Sequence, residues 1–174
     1  MSRESRSWRR GAFTIDTDPA RIDLDVVHGF LSTSYWAQGI PRDVVKRSIE
    51  GALCFGIFHD GGAAPGADAS PGSAAAQRPG AQVGFARAIT DYATFAYVGD
   101  VFVLEPFRGQ GLSKWLMECM TGHPDLQGLR RWMLATRDAH GLYRQFGFTE
   151  VANPERWMHR WDPDIYVKRG GPEA

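Results

Sequence analysis

The stretch VFVLEPFRGQGLSK, residues 101–114, decides how this chain folds. Three apolar residues typical of a strand lead into a turn that contains Gly109 and Gly111, and Leu112 begins an amphipathic helix. The first backbone N–H groups of a helix lack internal acceptors, and the helix dipole adds positive potential there. Because glycines let a ligand come close to the backbone, this strand–turn–helix unit predicts an anion cradle suited to a phosphate or pyrophosphate.

Two common phosphate-binding patterns fit this stretch poorly. A Walker P-loop has a glycine directly before its lysine, whereas Ser113 precedes Lys114 here. The dinucleotide fingerprint G-x-G-x-x-G accommodates Gly109 and Gly111, but Lys114 occupies its third glycine position. A different nucleotide-binding protein, taking NAD or ATP, is therefore a weaker alternative. The simplest alternative is a tight turn whose glycines serve only the backbone.

The helix after the turn carries one continuous apolar stripe, made by Leu112, Trp115, Leu116, Cys119 and Met120. Gly122 and Pro124 end this helix. Further along, the pattern predicts a strand over Arg131 to Thr136 and a short helix over Asp138 to Phe146, with Asp138 as its N-cap. A turn at Gly147 should lead into a further strand.

Upstream, helical spacing predicts one helix over Asp23 to Leu31 and a second that begins at Pro41 and ends just before Gly51, joined by a loop rich in aromatic residues. We expect strands over Leu53 to His59, Val83 to Thr90 and Thr94 to Val103. Between the first two strands, Asp60 to Gly80 contains mostly Gly, Ala, Pro and Ser, which predicts a flexible, low-complexity hairpin loop. Strands interleaved with helices predict one α/β (α+β) domain over residues 1–174, with a mixed sheet.

Composition narrows the class of protein. The chain has 174 residues, of which 43% are apolar, and 20 basic residues balance 20 acidic ones. A nucleic-acid binder would normally carry a basic excess, so we expect no nucleic acid as a partner. Cys54 and Cys119 are too few for a disulfide framework, and the five histidines show no paired metal spacing, so we expect no metal. The polar segment from Met1 to Arg10 and the lack of long apolar runs predict no membrane partner and a cytoplasmic protein.

Two separated motifs make the chain resemble the GNAT acetyltransferase superfamily. Arg108 to Ser113 is similar to its R-x-x-G-x-(small) pattern, and Leu134 to Phe148, with Leu142-Tyr143 before Gly147-Phe148, looks like the strand and helix that follow. The resemblance implies a GNAT-like mixed, mostly antiparallel central sheet with flanking helices. It also implies a β-bulge in the strand over Val101 to Val103 and a split between the fourth and fifth strands.

By this resemblance, the co-substrate is acetyl-CoA. The strand backbone would bind the pantetheine arm, and amides of the turn and first helical turn would bind the pyrophosphate. The implied contacts are Val101, Phe102, Val103, Arg108, Gly109, Gln110, Gly111, Leu112, Ser113 and Lys114. The family usually has Gly or Ala where Ser113 stands, and serine is small enough to leave the approach open.

The resemblance also implies a catalytic residue. Tyr143 occupies the position where the family places a tyrosine near the coenzyme sulfur, and a phenol of pKa ~10 can donate to a thiolate of pKa ~8.5. The alternative is that Tyr143 only packs in the core. The identity of the general base stays open, and the default hypothesis is that water removes the proton of the acceptor amine.

Four residues are candidates for the acceptor pocket. Tyr35 and Trp36 lie on the loop between the first two helices, where they either bind the acceptor or cover the core. Tyr97 and Asp100 lie on the strand near the positions where relatives carry a base, and Asp100 could instead order a nearby loop. Asp91 is a weaker candidate.

The resemblance thus implies an N-acetyltransferase that acts on a primary amine of a small molecule or a protein, by direct transfer in a ternary complex. A non-catalytic module that binds or senses acyl-CoA is the alternative. The family often forms dimers, so the resemblance is compatible with a homodimer.

Overall fold

The computed structural model describes residues 4–61 and 80–170, so that all but the edges of the predicted hairpin loop at 60–80 lie outside the described residues. Within them the chain forms, in order, β1 (Ser7–Arg10), β2 (Phe13–Asp16), α1 (Leu24–Leu31), α2 (Arg42–Glu50), β3 (Leu53–His59), β4 (Ala81–Thr90), β5 (Phe95–Val103), α3 (Leu112–Thr121), β6 (Arg131–Met133), α4 (His140–Arg144) and α5 (Ile165–Gly170). No helix in these ranges is long and apolar enough to cross a membrane.

One six-stranded sheet organises the fold. Its strands lie side by side in chain order, and each neighbouring pair is antiparallel except β5 and β6, which are parallel. The prediction of a mixed, mostly antiparallel sheet with flanking helices is therefore confirmed. β3 pairs along its whole length with residues 81–88 of β4, as expected for the two strands that flank the hairpin insertion.

The sheet splits between β5 and β6. These two strands pair only where residues 95–97 lie beside residues 131–133. On its other edge β5 contains a β-bulge, since Asp100 and Val101 together oppose the single residue Ala86, and Asp100 adopts a left-handed φ of 55°. The expected split lies between the fourth and fifth strands of the family pattern, which are β5 and β6 here because an N-terminal hairpin adds one strand.

Helices cover both faces of the sheet. The stripe of α3 packs on one face, where Leu116, Met117 and Met120 are fully buried against Phe55 and Ile57. α1 and α2 cover the opposite face through a second cluster that contains Val27, Leu31, Val45, Phe85 and Phe102. Because both faces are covered, β3 and β4 are buried almost continuously and do not show the alternation of a half-exposed strand.

The N-terminal hairpin of β1 and β2 was not predicted from the sequence. β2 buries two polar residues, which conceals the apolar pattern of a strand. The Thr14 hydroxyl donates to Asp60 Oδ2 (2.6 Å), and Asp16 Oδ2 accepts from Arg21 Nη1 (2.7 Å), so both buried groups are hydrogen-bonded. Gly11, at a φ of 57°, makes the tight turn between the strands.

Three predictions for the C-terminal third were wrong. β6 ends at Met133, not at Thr136, because β5 turns away from it at the split. α4 is shorter than expected, and its N-cap is Ala139, whose N–H donates to Thr136 Oγ1 (3.0 Å), so Asp138 does not cap it. After Gly147 the described residues contain no strand.

His123 should make the stability of the fold sensitive to acid. The residue is 1% exposed, its ring contacts those of Trp8 and Phe55 edge to face, and its Nδ1 accepts from Asp125 N (3.2 Å). Burial, assisted by Arg6 and opposed by Asp125, lowers the pKa of His123 below its ordinary value of 6.5. As the pH falls, the unfolded chain therefore takes up a proton before the folded chain does. The contribution of His123 to the free energy of unfolding is complete above about pH 6.5 and decreases below it.

His123→Asn is the matched variant, since asparagine can accept the same N–H without titrating. We expect the wild type to lose more unfolding free energy than His123→Asn between about pH 7.5 and about pH 5.5 in urea denaturation. Equal losses in the two proteins would contradict this assignment.

Candidate functional site

The turn between β5 and α3 forms an open cradle of backbone amides. Gly109 and Gly111 have φ values of 77° and 73°, which favour glycine, and no atom lies within 4 Å of where a Cβ would stand on either. The first hydrogen bond of α3 runs from Trp115 N to Gly111 O (3.0 Å). The N–H groups of residues 112–114 therefore have no intrahelical acceptor and lie at the positive end of the helix dipole.

The cradle is fixed to the end of β5. Arg108 Nε donates to Val103 O (3.0 Å), and the buried ring of Phe107 anchors the 3₁₀ turn before it. A cavity of about 230 Å³ lies over the turn, lined by Val103, Phe107, Arg108, Gly109, Gly111, Leu112, Ser113, Lys114 and Leu142. Seven of the ten residues implied as coenzyme contacts thus surround one cavity.

The other three implied contacts are placed differently. Val101 lines the neighbouring cleft, not the cradle. The side chain of Phe102 is buried and stacks on Phe30, with ring centroids 3.9 Å apart, so only its backbone can meet a ligand. The side-chain amide of Gln110 donates to Phe107 O (3.3 Å), which ties it to the turn.

A second cavity of about 450 Å³ occupies the split between β5 and the segment after β6. All four acceptor-pocket candidates and the catalytic candidate line it: Tyr35, Trp36, Tyr97, Asp100 and Tyr143. We call this cavity the acceptor cleft. On α4, Leu142 lines the cradle and the next residue, Tyr143, lines the cleft. On β5, Val103 lines the cradle and Val101 lines the cleft, so the two cavities adjoin along β5 and α4.

Asp100 is held by two partners at the β-bulge. Arg87 Nε donates to its Oδ2 (2.5 Å), and Trp36 Nε1 donates to its Oδ1 (3.2 Å). The side chains of Arg87 and Asp100 are only 19% and 10% exposed, so they form a largely buried, charge-balanced pair. Asp100 therefore positions the loop that carries Trp36, which is one of the two roles expected of it.

Tyr35 reaches the opposite wall of the cleft. Its hydroxyl accepts from Arg137 N (3.3 Å), and the Arg137 guanidinium lies 3.7 Å from its ring centroid. The rings of Tyr35 and Trp36 meet edge to face with centroids 4.9 Å apart. A continuous set of contacts therefore runs from Asp100 through Trp36 and Tyr35 to Arg137, and we call it the aromatic bridge.

Tyr143 is buried, lines the acceptor cleft and directly follows Leu142, which lines the cradle. Burial raises the pKa of Tyr143 to about 12, with smaller contributions from the nearby Tyr35, Asp138 and Tyr97. The phenol therefore keeps its proton at physiological pH. Among the described residues none accepts a hydrogen bond from its hydroxyl. The proton is thus free to be donated to a ligand in the cleft.

Arg87 and Arg137 line the cleft but were not predicted from the sequence. Arg87 is the only charged residue in β4, a strand that is otherwise almost wholly buried, and this signal could have marked it. Arg137 gave no comparable signal. Asp91, a weaker candidate, caps its own turn by accepting from the backbone of residues 93–95, and it does not line the cleft.

The two thiols take no part in either cavity. Cys54 and Cys119 are buried and free, and burial raises the pKa of each to about 12, so neither supplies a thiolate near neutral pH. Within residues 4–61 and 80–170, no three His, Cys, Asp or Glu side chains come together as a metal-binding group.

Comparison with known proteins gives consistent matches. A family model described as an acetyltransferase (GNAT) domain matches residues 72–150. A proposed acetyltransferase of Gibberella zeae is 32% identical over 143 residues, which are 79% of this chain and 79% of that protein. The crystal structure of a proposed acetyltransferase of the GNAT family from Xanthomonas campestris pv. campestris has 46% identity and a TM-score of 0.75, covering 88% of this chain and 96% of that one.

A more distant match supports the fold alone. Glucosamine-6-phosphate N-acetyltransferase from Arabidopsis thaliana is 14% identical, with a TM-score of 0.54, and the match covers 87% of this chain and 99% of that one.

Proposed function

Because the chain belongs to the GNAT acetyltransferase family, we propose that it transfers the acetyl group of acetyl-CoA directly to a primary amine in a ternary complex. One observation carries the proposal: the amide cradle and the acceptor cleft adjoin beside β5, where Leu142 lines the cradle and the next residue, Tyr143, lines the cleft. A donor in the first cavity and an acceptor in the second would meet there. Two free thiols support a reducing compartment, which we take to be the cytoplasm.

The donor would bind along β5 and the start of α3. The amides of residues 109–114 suit the pyrophosphate, since they combine unpaired N–H groups with the helix dipole. Beyond Tyr97 the edge of β5 that faces β6 has no strand partner in the described residues, so its backbone can pair with the extended pantetheine arm. This geometry directs the thioester toward Val101 and Tyr143.

The reaction requires a neutral amine, a stabilised tetrahedral intermediate and a protonated leaving group. The amine nitrogen attacks the acetyl carbon, the C–S bond breaks, and the departing thiolate takes the phenolic proton of Tyr143. The ammonium proton of the acceptor leaves to solvent, which also returns a proton to Tyr143. We assign proton removal to water because the carboxylate of Asp100 is already engaged by Arg87 and Trp36.

Two measurements test this function. Calorimetry should show acetyl-CoA binding, and a panel of primary amines should release coenzyme A thiol only when protein and acceptor are both present. Binding without thiol release from any amine would favour a non-catalytic acyl-CoA sensor. Binding of NAD or ATP in preference to acetyl-CoA would overturn the assignment of the cradle.

A further inference from the structure

We infer that the acceptor is a small primary amine with an aromatic body, taken up beneath the aromatic bridge, and that the bridge excludes polypeptide acceptors. This inference rests on the proposed function and adds the substrate class.

The bridge joins the two walls of the split sheet. On one side Trp36 is hydrogen-bonded to Asp100 in β5, and on the other Tyr35 contacts Arg137, which follows β6. The strands no longer pair at this level, so the bridge spans the opening between them. A peptide bound along the split would need an open groove there, and the joined rings occupy it.

The loop that carries the two rings is fixed by packing. Phe30 contacts Trp36, with ring centroids 6.1 Å apart, and stacks on Phe102 of the core. Gly39 N donates to Ser32 O (2.9 Å), which closes the loop on itself. The bridge is therefore a built feature of the cleft, supported from the core and from both walls.

The cleft has no unbalanced buried charge. Arg87 and Asp100 neutralise each other, and at the rim Arg137 and Asp138 form a long, exposed ion pair of 3.8 Å. A phosphate-bearing acceptor would need a spare cation, and a polyamine would need spare carboxylates. Neither is offered, so strongly charged acceptors should bind weakly.

The cleft instead offers aromatic surface. Tyr35 and Trp36 are 47% and 42% exposed, and Tyr97 adds a further ring on the same cavity. Exposed rings in a concave site gain most from a flat apolar partner, through area burial and offset or edge-to-face contacts. A volume of about 450 Å³ falls within the range of small-ligand pockets, so an arylalkylamine fits in size as well.

Phenethylamine is the probe, compared with spermidine, glucosamine 6-phosphate and a lysine-containing peptide. Calorimetry on the protein loaded with coenzyme A should show phenethylamine binding about tenfold or more tightly than each of the others. With acetyl-CoA, it should also be the best acetyl acceptor. Equal or tighter binding of the peptide, spermidine or the sugar phosphate, or no binding of phenethylamine, overturns the inference. Phenethylamine binding without acetyl transfer would instead overturn the proposed function and leave the pocket assignment intact.

Removal of the bridge gives a readout that structural damage would not imitate. In the double variant Tyr35→Ala with Trp36→Ala, the kcat/KM for phenethylamine should fall about tenfold or more, while that for the peptide should rise. A uniform loss for all acceptors would contradict the exclusion of peptides. Trp161→Ala, which removes an exposed ring away from the cleft, is the matched control and should retain the wild-type preference.

Trp36→Phe keeps the test sound should the double variant unfold. It retains a ring but loses the N–H that donates to Asp100. We expect its preference for phenethylamine to stay within about threefold of wild type, because the ring surface is what recognises the acceptor. A fall of about tenfold or more in that preference would overturn the assignment of recognition to the rings.

Discussion

The variant Ser113→Asp should bind acetyl-CoA at least about tenfold more weakly than the wild type, while its folded state is as stable or more stable. Ser113 is the second residue of α3 and lines the cradle, so an added carboxylate would oppose the pyrophosphate at short range. The same carboxylate interacts favourably with the helix dipole, by roughly 0.3–1 kcal/mol. Calorimetry with acetyl-CoA and thermal unfolding measure the two effects separately.

Ser113→Asn is the control for this experiment, because it has the same shape without the charge. It should bind acetyl-CoA more tightly than Ser113→Asp and close to the wild type. Equal affinities of the two variants would show that no anionic group of the ligand lies at the start of α3.

Tyr143→Phe should lower kcat about a hundredfold or more and leave acetyl-CoA affinity unchanged. The ring that packs beside Phe148 is retained, and only the hydroxyl of this cleft-lining residue is lost. The leaving thiolate then lacks its proton donor. Steady-state thiol release with the best acceptor gives kcat, and calorimetry gives the affinity.

The raised pKa of Tyr143 adds a condition to this prediction. Since the phenol titrates at about 12, its loss of a proton should not lower the wild-type rate between about pH 8 and about pH 10. Tyr166→Phe, on α5 outside the acceptor cleft, is the matched control and should retain wild-type kcat. An unchanged kcat in Tyr143→Phe would remove the general-acid role.

The strand–turn–helix unit that forms the cradle could be predicted from sequence because it is local. A strand, a glycine turn and a helix follow one another within residues 101–120, and each is specified by its own pattern. The positive φ values at Gly109 and Gly111 need no tertiary information, since glycine is the residue that adopts them readily.

The acceptor side depends on contacts between distant residues. Arg137 N bonds to the Tyr35 hydroxyl 102 positions away, and Trp36 meets Asp100 across 64 positions. The bulge that turns Asp100 toward Trp36 places a non-glycine residue at positive φ, which local propensity argues against. The aromatic residues could be listed from sequence, but the bridge they form could not.

Two errors in the fold arose where the outcome depends on tertiary partners. The hairpin of β1 and β2 was missed because polar Thr14 and Asp16 are buried with hydrogen-bond partners. A strand was wrongly expected after Gly147, in a segment that contains Phe148 and Val151. Such a pattern becomes a strand only where a sheet edge pairs with it, and β6 ends at Met133.

Transfer of a labelled acetyl group tests the central claim most directly. The protein would be incubated with acetyl-CoA labelled with ¹³C at the carbonyl and with phenethylamine, and the carbonyl resonance followed by NMR. We predict that the signal moves from the thioester to an amide, and that it does so much more slowly with Tyr143→Phe. A signal that stays on the thioester, or appears as free acetate, would contradict it.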